Sequence, residues 1–404
     1  MHEAAQHTTG PLNGLRVLDI STIIAAPFAA ALLADYGADV LKLELPGAGD
    51  GARDFPPFRE GRSLWWKVIN RNKRFATLDL RREEARDILL QLVAEADVLI
   101  ENFRPGTLER WGFPREVLWQ ANPALVILRI TGFGQTGPYA SRPGFARIFE
   151  AMGGLTYLTG EPDGAPMHSG YPLADAVGGL FGATSILAAL MAVRADPARR
   201  GEEIDLSLTE ATLKLLEYLP IEYDQTGVVR GRAGNANLYS APAGVFRSRD
   251  GRWISMAGST NTTFAANCAA IGRPDLAGDP RFATNSSRVE HSAELNAIFE
   301  AWFAGHDLQA TLEAFTRAGG TVAPVYAIDQ IFEDPQMQAR DAITPVADDD
   351  FGAVRIQNVV PRFTNRPATH RRTAGALGRD NDAVFREIGL DAAQVQALRD
   401  AGVI

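Results

Sequence analysis

LRVLDI (15–20), STIIAAP (21–27), AAPFAAALLADYG (25–37) and ADVLKLE (38–44) follow one another near the start of the chain. The first and last are short apolar runs of the kind that form buried strands, and the run between them has the small-residue texture of a helix. Strand, helix and strand in so short a stretch make a βαβ unit, whose crossover leaves the two strands parallel and right-handed. The alternation continues downstream. Phe75–Leu80 reads as a strand, Arg82–Ala94 as an amphipathic helix, and Asp97–Ile100 and Leu125–Ile130 as two more strands. The predicted fold class is therefore α/β, a Rossmann-like open parallel sheet covered on both faces.

The first βα turn, STIIAAP, has no G-x-G-x-x-G, so the glycine loop that seats a dinucleotide pyrophosphate is missing and NAD or FAD is not expected. Further along, a long helix after Ala174 leads to the strand Glu203–Leu208 and the helix Thr209–Tyr218. After Gly227 the texture turns Gly-, Asn- and Arg-rich, and VFRS–RDG–RWISMA reads as a hairpin turning at Asp250-Gly251. Helices are expected near 261–271, 292–304, 307–318 and 328–334, a strand at Val354–Gln357, and a last helix near 391–401. The resulting division is a disordered N-terminus (1–10), the large domain (11–225), a smaller α+β domain (226–328), and a C-terminal segment (329–404) that returns to the large domain. A chain of 404 residues exceeds what one core usually organises, in keeping with this split.

Composition narrows the function. With 46% hydrophobic and 22% charged residues the chain is ordinary globular protein. A net charge of −9 argues against nonspecific binding to nucleic acid or an anionic membrane. The apolar stretch Ala174–Val193 is interrupted by Gly178, Gly179, Gly182 and Thr184 and reads as a buried helix. The opening MHEAAQHTTGPLNG lacks the basic-then-apolar pattern of a signal peptide, and with a single cysteine, Cys268, a cytoplasmic location is expected. Within this acidic chain, Lys67–Arg82 holds Lys67, Arg71, Lys73, Arg74, Arg81 and Arg82 with only Asp79 opposing. That reversal of sign suits either a solvated basic face or a polyanionic ligand.

Six scattered histidines, with no H-E-x-x-H, give no metal site, and no G-x-S-x-G marks a serine nucleophile. Cys268, inside FAANCAA, reads as a buried structural thiol. A carboxylate is the chemistry left, and Asp175 in SGYPLADAVGGLFG is the candidate. It reads as an N-cap for the helix that follows, or beyond that as a nucleophile kept ionised by the positive end of the helix dipole. Gly178 and Gly179, one turn later, suit close approach by another backbone or a ligand. ENFRPGTLERWGF (101–113) follows a strand at the carboxyl end of the sheet. It is either a turn closed by Pro105-Gly106 or a site where Asn102 and Phe103 hold an adenine and Arg104 and Arg110 meet phosphates.

Several segments together resemble the class III coenzyme A transferases, the family of formyl-CoA transferase and the α-methylacyl-CoA racemases. They are LNGLRVLDIS (12–21), AAPFAAALLADYGADVLKLE (25–44), NKRFATLDLR (72–81), VLIENFRPGTLERWGF (98–113), LRITGFGQTGPY (128–139), the D-x-x-x-G of Asp175 and Gly179, SILAAL (185–190), EIDLSLTEA (203–211), SAPAGVFRSRDGRW (240–253), GRPDLAGDPRFATNSSRV (272–289) and ALGRDNDAVFREIGL (376–390). The resemblance implies a large domain built from both chain ends and an interlocked homodimer. It implies no tightly bound cofactor, with coenzyme A entering as part of an acyl-CoA substrate beside a carboxylic acid. Asp175 matches the aspartate that becomes a mixed anhydride and then an aspartyl-CoA thioester. Leu78, Arg81, Asn102, Phe103 and Arg110 match coenzyme contacts, Ala25 matches a backbone contact, and Gly178 and Gly179 match positions that favour close approach or serve an oxyanion.

There are departures. Ile24 stands where formyl-CoA transferases carry Gln, and Leu45-Pro46 where they carry Arg; the hairpin RSRDGRW is short beside their long glycine loop. A formyl or oxalyl substrate is therefore not expected. Ala146 replaces the Asp or Glu of many relatives, leaving a second carboxylate unassigned, and His168 reads as a loop histidine. Racemases need two acid–base groups, and Phe145 stands where their histidine would, which favours transfer over racemisation. A CoA-binding lyase or hydrolase is the other alternative.

Overall fold

The structure is a computed structural model that describes residues 9–404. Most of the segment expected to be disordered, residues 1–8, lies outside the described residues. The chain forms two compact units: one of residues up to Thr156 with His168–Gly227 and Arg340–Ile404, the other of Tyr157–Met167 and Val228–Ala339. Beside the expected boundaries, the smaller unit runs on to Ala339 and takes in a short loop segment, 157–167, from within the large one.

The larger unit is built on six parallel strands. They are β1 (Arg16–Asp19), β2 (Asp39–Glu44), β5 (Arg74–Thr77), β6 (Val98–Glu101), β7 (Val126–Thr131) and β8 (Glu202–Ser207), and the two-residue β3 (Phe58–Arg59) and β4 (Arg62–Ser63) form a separate ribbon. The order across the sheet is β5-β2-β1-β6-β7-β8, with Leu18 level with Leu41 on one side and Leu99 on the other. Because the chain leaves β1 in one direction and comes back to pair β6 on its other edge, the strand order reverses between β1 and β6. A crevice opens at the carboxyl ends of strands at such a point.

The helices are α1 (Ala25–Asp35), α2 (Leu64–Ile69), α3 (Ala85–Ala94), α4 (Thr107–Arg110), α5 (Arg115–Ala121), α6 (Ala146–Met152), the single turn α7 (Leu155–Leu158), α8 (Leu173–Ala195), α9 (Leu208–Lys214) and α10 (Tyr218–Thr226). The helix expected over Thr209–Tyr218 is thus broken into α9 and α10. By length and composition α8 is apolar enough to cross a membrane, but half of that stretch is buried inside the protein. It packs on α1 through small residues: Gly178 and Gly179 face Ala25, Gly182 faces Ala29, and Ala183 shares a core cluster with Ala25, Ala26, Ala29 and Ala30. A Cβ on Gly179 would lie 3.0 Å from the Ala25 carbonyl oxygen and 2.6 Å from Phe28, so glycine there lets two helices touch.

On the opposite face α3 packs together with the last two helices, Asn381–Glu387 and Ala392–Asp400. Val384, Phe385, Val395, Val403 and Ile404 share a core cluster with Leu78, Leu80, Leu99 and Ile127. The expected strand Val354–Gln357 is the second arm of a hairpin, Gly352–Gln357 pairing Ile343–Asp348. In the smaller unit the expected hairpin is Ala243–Arg247 against Trp253–Ala257, joined by Val322–Pro324 as a third strand. Phe264, Phe282, Phe299, Phe303 and Phe315 fill its core, with Cys268 buried among them as a structural thiol.

The cations of the basic run are paired with carboxylates of the same chain. Lys67 pairs with Asp348, Arg71 with Asp35, Lys73 with Asp19, Arg74 with Asp39 and Glu387, Arg81 with Asp79, and Arg82 with Glu84. Every cation of the run has a carboxylate partner, those of Lys67, Arg71 and Lys73 buried, while Arg81 and Arg82 stay 55% and 43% exposed at their side chains.

Candidate active site

At the point where strand order reverses, the turn after β1 is held from three sides. Asn102, just past β6, accepts the Thr22 N–H at Oδ1 and donates from Nδ2 to the Thr22 carbonyl, both at 2.8 Å. Asp50 accepts the Ile23 N–H at 2.9 Å, and Lys42 donates to the Ser21 carbonyl at 2.7 Å. Beneath the turn, Lys42 and Lys73 are fully buried with Asp19; Lys73 pairs with Asp19 at 2.7 Å and donates to the Pro27 carbonyl at 2.7 Å. Burial pulls the Lys73 ammonium down to about 8, although Asp19 opposes it. This framework supports Ile23 at φ +72, a left-handed backbone that a β-branched side chain rarely adopts. The glycine-free turn keeps its shape through side-chain clamps.

That turn forms one wall of a cavity of about 290 Å³ lined by Thr22, Ala25, Asn102, Phe103, Arg104, Arg142, Phe145 and Asp175 among others. A second cavity, about 220 Å³, is lined by Leu43, Leu78, Arg81, Phe103 and Trp111, and shares Thr22 and Phe103 with the first. Phe103 meets Trp111 edge-on, with ring centroids 4.9 Å apart. Its loop is anchored from below: the Phe103 N–H donates to Glu101 at 2.6 Å, and the buried Arg129 approaches Glu101 at 3.6 Å, Glu109 at 2.7 Å and Glu203 at 2.7 Å. The Arg129 Nε–H is not aimed at the Glu203 oxygen, so that contact is an ion pair without a hydrogen bond. Burial lifts the Glu101 carboxyl to about 7, with Arg129 pulling the other way.

Among the residues singled out from sequence, Asp175, Ala25, Asn102 and Phe103 come together around the first cavity, and Leu78, Arg81 and Phe103 around the second. Asn102 spends its amide on the βα turn. Arg81 is held bidentate by Asp79 at 2.7 and 2.8 Å, with its side chain still half exposed. Arg110 lines neither cavity; it sits on α4, next to Trp111, and donates to the Thr107 hydroxyl at 2.8 Å.

Three expectations about α8 need correcting. Asp175 is not its N-cap: Pro172 holds that position, and Asp175 lies in the first turn. Gly178 and Gly179 lie beyond the first four residues of the helix, so their N–H groups belong to the helical ladder and are not free for an oxyanion. Their missing side chains make room for Leu208, Phe28 and Ala25. Nor does the dipole keep Asp175 ionised. Desolvation, with the negative Glu150 adding to it, raises its carboxyl from 3.8 to about 7. A helix dipole contributes about 0.3–1 kcal/mol, less than one pKa unit, and here it loses.

Glu150 is the residue that sequence reasoning missed. It is 1% exposed on α6, and its Oε1 accepts the Ala174 N–H at 3.2 Å. Its Oε2 lies 3.4 Å from His168 Nδ1, which brings that loop histidine to the site. A signal was present: Ala146, Phe149 and Glu150 share the buried face of α6 at i, i+3 and i+4, which places an acid where an apolar residue is expected.

The fold and site together define an α/β protein with a carboxylate-bearing crevice where the strand order reverses. The chain belongs to CoA-transferase family III, which it matches over residues 12–381. It is 39% identical to succinyl-CoA–D-citramalate CoA-transferase of Chloroflexus aurantiacus, over 98% of this chain and 99% of that one. It is 40% identical to the β subunit of succinyl-CoA–L-malate CoA-transferase of the same organism, over 98% and 99%. The crystal structure of a CAIB/BAIF family protein from Brucella suis superposes with a TM-score of 0.81 at 34% identity, covering 94% of this chain and all of that one.

Proposed function

We propose that the protein moves coenzyme A from an acyl-CoA thioester to a carboxylic acid through a covalent aspartyl-CoA thioester on Asp175. The observation that carries this reading is a half-buried carboxylate at the start of a core helix, lining a cavity at the reversal of strand order. A carboxyl raised towards 7 is, once ionised, a better nucleophile than an ordinary aspartate. The thioester end of the substrate is assigned to the cavity of Asp175, and the adenine end to the cavity of Leu78, Phe103 and Trp111, with Arg81 and Arg110 near the phosphates. No tightly bound cofactor enters the scheme.

The two relatives are named for succinyl-CoA with citramalate or malate. Arg104 and Arg142 line the cavity of Asp175, which supports a short dicarboxylic acid as acceptor, its distal carboxylate meeting a guanidinium. Phe145, 72% exposed and lining the same cavity, carries no proton, which speaks against a racemase. The assembly we assign is a homodimer.

Incubation with an acyl-CoA, then hydroxylamine and peptide mass analysis, should mark Asp175. Asp175→Asn, checked for deamidation, should lose at least about 10³-fold in transfer. Transfer at the wild-type rate by that variant would overturn the assignment.

A further inference from the structure

We propose that Glu150 is a positioning residue of the transfer, built into α6 so that the cavity disfavours a charged Asp175 and favours its uncharged covalent form. The inference rests on Asp175 being the nucleophile. Both oxygens of Glu150 have set partners: the Ala174 N–H, adjacent to Asp175, holds one at 3.2 Å, and His168 lies 3.4 Å from the other. That imidazole is also 3.3 Å from the Thr156 hydroxyl, and its side chain is 30% exposed. Among the described residues, neither Glu150 nor Asp175 forms an ion pair with a lysine or arginine.

The groups facing Asp175 come from several elements. Glu150 projects from α6 with His168 against it, and Tyr171 comes from the segment leading into α8. Arg104 and Arg142 line the cavity. From α1 and α9 come Ala25, Phe28 and Leu208, which carry no charge. The Glu150 carboxylate, buried and held on the N–H next to Asp175, thus lies beside a second carboxylate with which neither lysine nor arginine is paired, and the rise of Asp175 to about 7, from burial first and Glu150 second, agrees with that geometry.

The reaction removes that repulsion. An Asp175 oxygen attacks the thioester carbon, the C–S bond breaks, and the coenzyme thiolate leaves. The thiolate then attacks the Asp175 carbonyl of the mixed anhydride, and the donor acid departs as its carboxylate. Starting from the ionised carboxylate, no proton is taken up or released in these two steps. The negative charge first carried by Asp175 leaves with the freed acid, so Glu150 faces a neutral thioester instead of a second anion. The resting state bears a strain that the intermediate lacks.

Glu150→Gln keeps the shape and an oxygen for the Ala174 N–H but drops the charge. The acid limb of kcat/KM, which in the wild type should follow Asp175 near pH 7, is expected to move down by about one pH unit or more. At fixed acyl-CoA and free donor acid, the fraction trapped by hydroxylamine as modified Asp175 should fall several-fold. An unmoved acid limb and an unchanged trapped fraction in a folded Glu150→Gln protein would overturn the role of Glu150. Should that variant not fold, infrared difference spectra of wild type minus Asp175→Asn provide the test. An Asp175 acid band persisting towards pH 7 supports the proposal, and a carboxyl titrating near 3.8 overturns it. The two readings separate cleanly. If wild-type protein gives no Asp175 adduct, the nucleophile assignment falls; if it does and Glu150→Gln behaves like wild type, only the role of Glu150 falls.

Discussion

At Asp175 a helix dipole that favours the anion meets burial and a second carboxylate that oppose it. Because the folded carboxyl titrates near 7 and the unfolded one near 3.8, the native state takes up a proton that the unfolded chain still refuses at neutral pH. The folding penalty is therefore fully present above pH 7, shrinks as the pH falls through that value, and is gone below about pH 4. Asp175→Asn removes the charge at every pH. It should stabilise the protein by about 1–3 kcal/mol at pH 8, allowing for the solvent that reaches a half-buried group, and by nothing measurable at pH 4. Denaturant unfolding at the two pH values checks this. The inactive variant should be the more stable one, as is common where a site holds an uncomfortable charge.

The loop from Asn102 to Arg110 is an element with little apolar burial of its own, so its position depends on what lies under it. Arg129, on the neighbouring strand β7 and 4% exposed at its side chain, gathers Glu101, Glu109 and Glu203. Replacing it by methionine would leave the buried Glu101 facing Glu109 with no counter-charge. Breaking one side of a buried ion cluster costs about 3–5 kcal/mol. Arg129→Met should therefore lower stability by that order and weaken coenzyme A binding, since Phe103 hangs from Glu101 through its N–H. Thermal unfolding and calorimetric titration with coenzyme A measure the two effects. Wild-type affinity in the variant would show that the loop holds its place without Arg129.

Over the whole molecule, the C-terminal segment meets the end of β5 and the turn after it. The Asp79 N–H donates to the Val403 carbonyl, and Asn381 accepts from the Thr77 N–H and donates to the Thr77 hydroxyl. Phe385, fully buried, sits in the same core as Leu78 and Leu80, which line the cavity assigned to adenine. A defect some 300 residues away in sequence should thus reach the site. Phe385→Ala should cost about 3–5 kcal/mol of stability and also reduce coenzyme A affinity. Denaturant midpoints and coenzyme titrations on one preparation test whether the two losses occur together.

Reading along the chain sufficed for the six strands of the central sheet in their order, because buried parallel strands are continuous apolar runs and Gly- or Asp-bearing turns punctuate them locally. It also singled out Asp175, Phe103 and Leu78, which lie in contiguous motifs that carry the family resemblance and which the fold brings to the two cavities. What the sequence could not settle was set by partners far away along it. Lys67 suits either a solvated face or a ligand's charge by sequence, and the fold buries it against Asp348. Gly178 and Gly179 suit close approach by either another backbone or a ligand, and it is α1 and Leu208 that fill the space. Ile343–Asp348 passed unnoticed as a strand, with Pro345 in its middle, until Gly352–Gln357 paired with it. The helix position of Asp175 alone predicts an ionised carboxylate, whereas burial first, and then Glu150 on another helix, raise its carboxyl. Periodicity and turn chemistry act between near neighbours and so can be read from a single chain. Burial and charge pairing act through space, and only the folded structure decides them.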